Sequence, residues 1–220
     1  MNSFKINLLL LSFLLFSCSN KTNKTLNATQ KAFDTFLEEY YQKSLELYPL
    51  SATFQGDNRY NHLLPNTLTN EFKDREKGFY SFYNNEIDRF DSDQLLEEQI
   101  LSKKILKWEC ESNLERLTFE EELTPINQMW TMQLTMGQLA GGTSAQPFKT
   151  VTDYDNWLKR IDAYLDWMQS AEDRMREGIE KGVVLPKSLI KKVVPQLESI
   201  ANSDVEKHLF YSPVHLFPDS

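Results

Sequence analysis

Three histidines set the first limit on the chemistry that this 220-residue chain could perform. A helical zinc hydrolase needs two histidines one helical turn apart, with a glutamate beside the first that acts as general base. His62, His208 and His215 are the only histidines; none is followed by glutamate, and Pro213 separates the last two. The sequence therefore predicts no metal ligand and no catalytic residue within this chain.

Other catalytic patterns are absent from the sequence as well. It contains no G-x-S-x-G nucleophile elbow and no glycine-rich phosphate loop. Its clustered acids, such as those at 120–122, are typical of solvated helix faces. The formal net charge of −8 argues against nucleic acid as a partner, because phosphate binding needs a basic surface. The residues alone leave open whether the chain is an enzyme.

The N-terminus carries a pattern that predicts a covalent modification. A short basic region precedes an apolar run over residues 6–16, which has the length of a signal peptide and is too short to span a bilayer. The run ends in Leu-Phe-Ser-Cys, which resembles a bacterial lipobox, with cleavage between Ser17 and Cys18 and a lipid on the Cys18 thiol. We expect residues 1–17 to be a lipoprotein signal peptide. A signal peptide cut elsewhere and a short buried helix are the alternatives.

An acylated Cys18 would anchor the chain to a lipid bilayer, on the periplasmic or outer-membrane face of a bacterial cell envelope. Residues 18–29 are predicted to be this cysteine and a flexible tether, because they are polar and lack apolar periodicity. Three N-x-T sequons in the tether are interpreted as chance in a linker rich in Asn and Thr. Cys110 is then left without a disulfide partner and is expected to be a buried thiol on a helix.

Residues 125–142 form the most unusual segment of the chain, because methionines and a tryptophan crowd together before two glycines. Met129, Trp130 and Met132 are its candidate substrate-facing or partner-facing residues, since such side chains adapt to varied surfaces. A buried helix that ends in a flexible loop is the plainer interpretation. A Cu(I) site formed by Met129, Met132 and Met136 is a third.

Helices must position these residues, because apolar residues recur at helical spacing and no convincing strand alternation occurs. Three helices are predicted before residue 120, with residues 51–67 as a connecting loop after the first. Their apolar faces are formed by Phe33, Phe36, Leu37, Tyr40, Tyr41 and Leu45; by Phe72, Phe79, Phe82, Tyr83, Ile87 and Phe90; and by Leu101, Ile105 and Trp108.

The longest predicted helix opens at a Thr152/Asp155 capping box and ends near Gly182. Residues 183–185 are apolar and are predicted to pack in the turn between two antiparallel helices, and Pro186 starts the next helix. The apolar face of the long helix consists of Tyr154, Trp157, Leu158, Ile161, Tyr164, Leu165, Met168, Met175 and Ile179. The predicted fold class is therefore all-α, a multi-helix array with long antiparallel helices.

Four stretches of the sequence carry a family resemblance. They are "FLEEYYQKSLELYPLSATFQGDNRYNHLLP", the central "LTPINQMWTM", the long helix and hairpin "YDNWLKRIDAYLDWMQSAEDRMREGIEKGVVLPKSLIKKVVPQL", and the final "YSPVHLFP". From about Ala32 to the end, the chain resembles the DUF885 family. These bacterial proteins are often lipoproteins and are similar to helical zinc metallopeptidases.

The resemblance implies that residues 30–220 are the N-terminal part of such a protein. Family members are longer and carry a zinc-binding histidine–glutamate motif in their C-terminal half. The domain is therefore expected to be incomplete at its C-terminus and inactive alone, with zinc implied only for the full-length family. It would form one wall of a substrate channel, with a peptide substrate and the missing C-terminal half as partners. The alternative is a stand-alone helical lipoprotein that binds a peptide or protein in a groove near Trp130 and Trp157.

Overall fold

The computed structural model describes residues 26–129, 131–201 and 204–217. Within these ranges the chain forms seven α-helices and no strand, which confirms the predicted all-α class. The helices are α1 (Ala28–Leu47), α2 (Pro49–Phe54), α3 (Asn70–Glu86), α4 (Glu97–Arg116), α5 (Met132–Ala140), α6 (Val151–Lys181) and α7 (Lys187–Ala201). None of these described helices is long and apolar enough to cross a membrane. The predicted signal peptide and Cys18 lie outside the described residues.

α1 begins inside the segment that the sequence assigns to the tether. Asn27 Oδ1 accepts a hydrogen bond from the Gln30 amide at 2.8 Å, and Gln30 Oε1 accepts one from the Asn27 amide at 2.9 Å. This reciprocal capping box gives partners to two backbone amides near the helix start. The helix therefore starts at Ala28, and one of the three sequon asparagines serves as its cap.

The start of α6 corrects the predicted Thr152/Asp155 capping box. Thr150 is the cap: its Oγ1 accepts from the Asp153 amide at 3.3 Å, and Asp153 Oδ2 accepts from the Thr150 amide at 2.8 Å. Thr150/Asp153 and Thr152/Asp155 both have Thr-x-x-Asp spacing. The sequence pattern alone therefore does not decide which threonine is the cap. The predicted end is confirmed, because Gly182 follows the helix in a left-handed conformation with φ of 74°.

Two hydrophobic clusters hold the helices together. The first is mainly aromatic, joins α1, α3 and α4, and buries Phe33, Phe36, Tyr80, Tyr83, Ile87, Leu95, Leu106 and Cys110. The second joins α5, α6 and α7, and its largest buried members are Met136, Leu139, Phe148, Trp157, Tyr164 and Trp167. Cys110 is the buried thiol that the sequence predicts, and burial raises its pKa to about 12.

The face of α4 that packs against the core is not the one that its apolar spacing predicts. Leu101, Ile105 and Trp108 are 59%, 54% and 68% exposed. Leu106 and Cys110 are buried instead. The helix carries two apolar stripes at helical spacing, and its packing against α3 buries only one of them.

Smaller corrections apply to other predicted elements. Residues 51–67, predicted to be a loop, contain most of α2 and a 3-10 turn at Asn58–Tyr60. Pro49 begins α2, where its missing N–H costs nothing. Five members of the apolar faces predicted for the other helices are exposed: Tyr41, Phe82, Leu158, Leu165 and Ile179.

The last described residues fold back onto α6 as a 3-10 segment over Leu209–Leu216. The ring of Phe210 lies 6.1 Å from that of Trp157 and 5.9 Å from that of Tyr164. Tyr154 Oη donates a hydrogen bond to the Pro213 carbonyl at 3.0 Å. The side chain of Phe210 is half-buried against the long helix, whereas Phe217 is 55% exposed.

Candidate functional site

The histidines do not gather into a metal site. His208 Nδ1 accepts a hydrogen bond from the Phe210 amide at 3.1 Å, and His215 Nε2 lies 3.4 Å from the Glu206 carbonyl. In residues 26–129, 131–201 and 204–217 there is no group of three or more His, Cys, Asp or Glu side chains that could hold a metal ion. The described residues therefore do not fit the zinc centre that the family resemblance implies.

The methionine segment is split between surface and core. Met129 is 60% exposed, whereas Met132 is half-buried and packs against the cluster of α5, α6 and α7. Trp130 lies outside the described residues. Met136 is fully buried in the same cluster, which places one of the three proposed Cu(I) ligands away from solvent. The substrate-facing role of Met129, Trp130 and Met132 remains a prediction.

A cleft of about 380 Å³ opens where α3, the end of α4 and α6 meet. This volume lies within the range of small-ligand pockets. The rings of Tyr48, Phe72 and Phe119 form part of its wall. Its charged lining consists of three cations and three carboxylates: Lys73, Arg116, Arg174, Glu76, Glu121 and Glu122.

Glu76 is the buried centre of this cleft, because its side chain is only 9% exposed. Tyr48 Oη donates to its Oε1 at 2.5 Å, and Arg116 Nη2 donates to the same oxygen at 2.5 Å. Tyr80 Oη lies 3.0 Å from Tyr48 Oη and extends the network. Within the described part of the chain, Glu76 Oε2 accepts no hydrogen bond. This second oxygen is therefore left for a ligand that donates.

Burial and hydrogen bonding fix the protonation of the surrounding groups. The pKa of Tyr48 is raised well above its ordinary value. Burial is the largest cause, and the hydrogen bond to Glu76 is the next largest. Burial opposes the charge on Arg116, but the Glu76 carboxylate outweighs it and the pKa of the guanidinium is raised. Burial likewise opposes ionisation of Glu122, yet the hydrogen bond from Lys73 outweighs it and lowers the pKa of that carboxyl. At neutral pH a neutral phenol therefore lies beside fixed charges of both signs.

The cations at the cleft already have carboxylate neighbours, which limits the ligand that the cleft can accept. The pairs are Lys73 with Glu122 at 2.7 Å, Arg116 with Glu121 at 3.6 Å, and Arg174 with Glu177 at 2.8 Å. Neither sign dominates, so the lining favours a dipolar ligand over a simple anion or cation. No histidine or cysteine is among the described lining residues. The arrangement is suited to binding a ligand that both donates and accepts hydrogen bonds.

A second polar cluster, centred on Arg160, is structural. Arg160 is fully buried, and its guanidinium donates to the Leu63 carbonyl at 3.1 Å, Gln146 Oε1 at 2.5 Å and Thr53 Oγ1 at 2.6 Å. It also donates to the Tyr60 carbonyl at 3.2 Å. Burial lowers its pKa to about 10. Since protein acceptors already take its donors, Arg160 fixes the loop after α2 to α6 and does not serve as a ligand site.

Sequence reasoning did not single out the cleft residues, although one signal was available. Glu76 lies four residues after Phe72 and four before Tyr80, so it shares their buried face. An acid in the middle of an apolar face is unusual unless it is paired. Tyr48 and Arg116 reach it from the end of α1 and the end of α4, and helical spacing does not reveal such long-range contacts.

Comparison with known proteins gives one family. The family model described as "Bacterial protein of unknown function (DUF885)" matches residues 49–219. The chain belongs to the DUF885 family. The DUF885 match begins at α2, so α1 precedes it, whereas Glu76, Arg116 and the other charged lining residues lie inside it. No curated protein matches the chain, and no solved structure matches it.

Proposed function

We propose that this chain binds a peptide in the cleft around Glu76 as the N-terminal, non-catalytic channel wall of a membrane-anchored, zinc metallopeptidase-like DUF885 lipoprotein. The observation that carries the proposal is the buried Glu76 carboxylate. Two donors hold one of its oxygens, and the other oxygen accepts no hydrogen bond from the described residues. An unused acceptor beside a cleft is a specific place for a ligand N–H.

A peptide supplies the groups that this cleft would recognise. Its amide N–H or terminal ammonium can donate to Glu76 Oε2, and its carbonyl or carboxylate oxygens can accept from the remaining N–H of Lys73 at the rim. Its apolar side chains can pack against Phe72 and Phe119. The balanced charges of the lining support such a dipolar ligand.

Peptide-bond cleavage is not assigned to this chain. The described residues do not fit a zinc site, and the cleft carboxylates are paired with cations instead of gathered around a common centre. In the proposed larger protein, zinc and its ligands would come from sequence beyond these residues. The wall would then position the substrate. The alternative is a stand-alone lipoprotein that binds a peptide or protein and cleaves nothing.

Acylated Cys18 is the proposed anchor, and it would hold the chain on the periplasmic or outer-membrane face of the envelope. The apolar run and the Leu-Phe-Ser-Cys pattern support it. The intact mass of the detergent-extracted native protein tests this anchor. A mass equal to residues 18–220 plus acyl groups would support lipidation and the stand-alone alternative. A product several times heavier would favour the wall of a larger enzyme, and an unmodified Cys18 would contradict the anchor.

Retention of short peptides tests the binding function. A pooled library of peptides with free termini is passed over the immobilised full chain, and the retained species are identified by mass spectrometry. Glu76→Gln is expected to lower their affinity by roughly tenfold to a hundredfold, because the charged acceptor is lost. Lys73→Gln, at the partly exposed rim, should weaken binding less.

Glu180→Gln is the matched control, because Glu180 is an exposed acid of α6 outside the cleft. Its affinity should equal that of the unmodified chain. Thermal unfolding of each variant separates lost binding from a lost fold. Equal retention by the Glu76→Gln variant, with its fold intact, would disprove binding at the cleft. Recovery of shortened peptides would disprove the non-catalytic assignment.

A further inference from the structure

The hairpin between α6 and α7 exposes apolar side chains. Val183 and Val184 are 37% and 59% exposed in the turn, and Ile190 and Val194 are 41% and 43% exposed on α7. They border a groove of about 370 Å³ whose lining is apolar except for Thr124. A contiguous apolar surface of this kind is typical of a contact with another apolar phase.

α7 is the least buried of the long helices, which makes this surface accessible. Val193 is its single buried residue, and Leu197 is half-buried. At 100° per residue, Ile190, Val193, Val194 and Leu197 share one face of the helix. The groove therefore lies along an apolar helix face that the described part of the chain leaves largely open.

Lysines border this face without carboxylate partners. Lys187 and Lys191 lie one helical turn apart along the edge of the apolar face. Neither forms an ion pair within the described part of the chain, whereas Lys181, at the end of α6, is paired with Glu120 and Glu177. In a chain with a formal net charge of −8, this helix is locally basic, because it carries Lys187, Lys191 and Lys192 against a single acid, Glu198.

We propose that this hairpin rests on an anionic lipid surface, independently of peptide binding in the cleft. Val183, Val184 and Ile190 would enter the acyl boundary, and Lys187 and Lys191 would extend to the headgroup phosphates. The chemistry is that of an amphipathic helix lying in the interface, with the charges at the edge of its apolar face. The rest of the acidic surface would be repelled by the same lipids, so this contact would fix one orientation.

Hydrogen–deuterium exchange of the full chain in vesicles tests the proposal. The chain is reconstituted into phosphatidylcholine vesicles or into vesicles that also contain phosphatidylglycerol. The amides of Val184 and Leu185 report on the hairpin, because within the described residues they donate no hydrogen bond. Their exchange should be several-fold slower on the anionic vesicles. The N-terminal segment is common to all variants, so differences between variants arise from the hairpin.

Two double variants separate a lipid contact from a general charge effect. Lys187→Glu/Lys191→Glu is expected to lower the ratio of bound to free hairpin by at least about 25-fold, because each lysine near an anionic surface contributes about fivefold and each new glutamate is repelled by it. Lys77→Glu/Lys159→Glu makes the same charge change at exposed positions of α3 and α6 and should keep the protection.

Three results would overturn the proposal. They are equal exchange on zwitterionic and anionic vesicles, protection that survives in the Lys187→Glu/Lys191→Glu variant, and protection that the control variant loses to the same extent. Slower exchange without lipid, caused by association of the chain with itself, would assign the groove to a second copy and would also overturn it.

Discussion

Replacing Arg160 with methionine is expected to lower the free energy of unfolding by about 3 kcal/mol or more. Methionine fills similar space but donates no hydrogen bond, so the acceptors on Leu63, Gln146 and Thr53 lose a charged donor inside the protein. Each buried acceptor that is left unpaired costs about 1–3 kcal/mol. Part of this loss is offset because the buried cation itself, which has no carboxylate partner in the described residues, is removed.

Urea unfolding of the two proteins at neutral pH measures this effect. Lys159→Met is the matched control, because Lys159 is the exposed neighbour on the same helix, and its stability should change by less than about 0.5 kcal/mol. An Arg160→Met loss below about 1 kcal/mol would show that the cluster does not anchor the loop after α2.

Raising the pH above about 10 is expected to destabilise the protein strongly through two tyrosines. The pKa values of Tyr40 and Tyr48 are raised well above the ordinary value, mainly by burial. The next largest cause is a hydrogen bond, to Glu109 for Tyr40 and to Glu76 for Tyr48. Below pH 10 both folded and unfolded chains keep these protons. Above it, the unfolded chain releases them and the folded chain retains them, so their contribution to stability is lost as the pH rises.

The expected loss is roughly 3 kcal/mol between about pH 10 and pH 12 for the two tyrosines together. A fully buried ring would cost about 1.4 kcal/mol of stability per pH unit. Each of these two rings is expected to cost half of that, because both keep some contact with solvent. Urea unfolding at several pH values, with tyrosinate absorbance as a second signal, measures it. Tyr48→Phe should flatten the pH dependence, because the phenol that titrates is removed. A pH dependence that Tyr48→Phe does not alter would contradict the assignment.

The helices and their ends could be predicted where the local chemistry was sufficient. Gly182 ends α6 because only a residue without Cβ takes the left-handed conformation readily, and that requirement is local. Cys110 was predicted to be buried from its place on a helix with no disulfide partner. The DUF885 resemblance was also carried by local motifs, and the family match confirms it.

Which face of each helix is buried, and where the cleft forms, depend on contacts between residues that are far apart in the sequence. α4 has two apolar stripes, and only its packing against α3 decides that Leu106, not Ile105, is buried. Glu76 and Arg160 resemble ordinary surface charges in the sequence. Their partners lie 28 to 107 residues away along the chain, apart from Gln146, so the networks exist only in the folded protein.

Chemical-shift mapping of the isotope-labelled full chain with a retained peptide tests the central claim most directly. If the peptide binds in the cleft, the largest chemical-shift changes are expected at the backbone amides of Leu68, Lys73 and Glu76, with smaller changes along the rest of α3. These changes should disappear in the Glu76→Gln variant. Changes centred on Met129 and Met132, with the cleft amides unmoved, would show that the peptide binds elsewhere and would contradict the account.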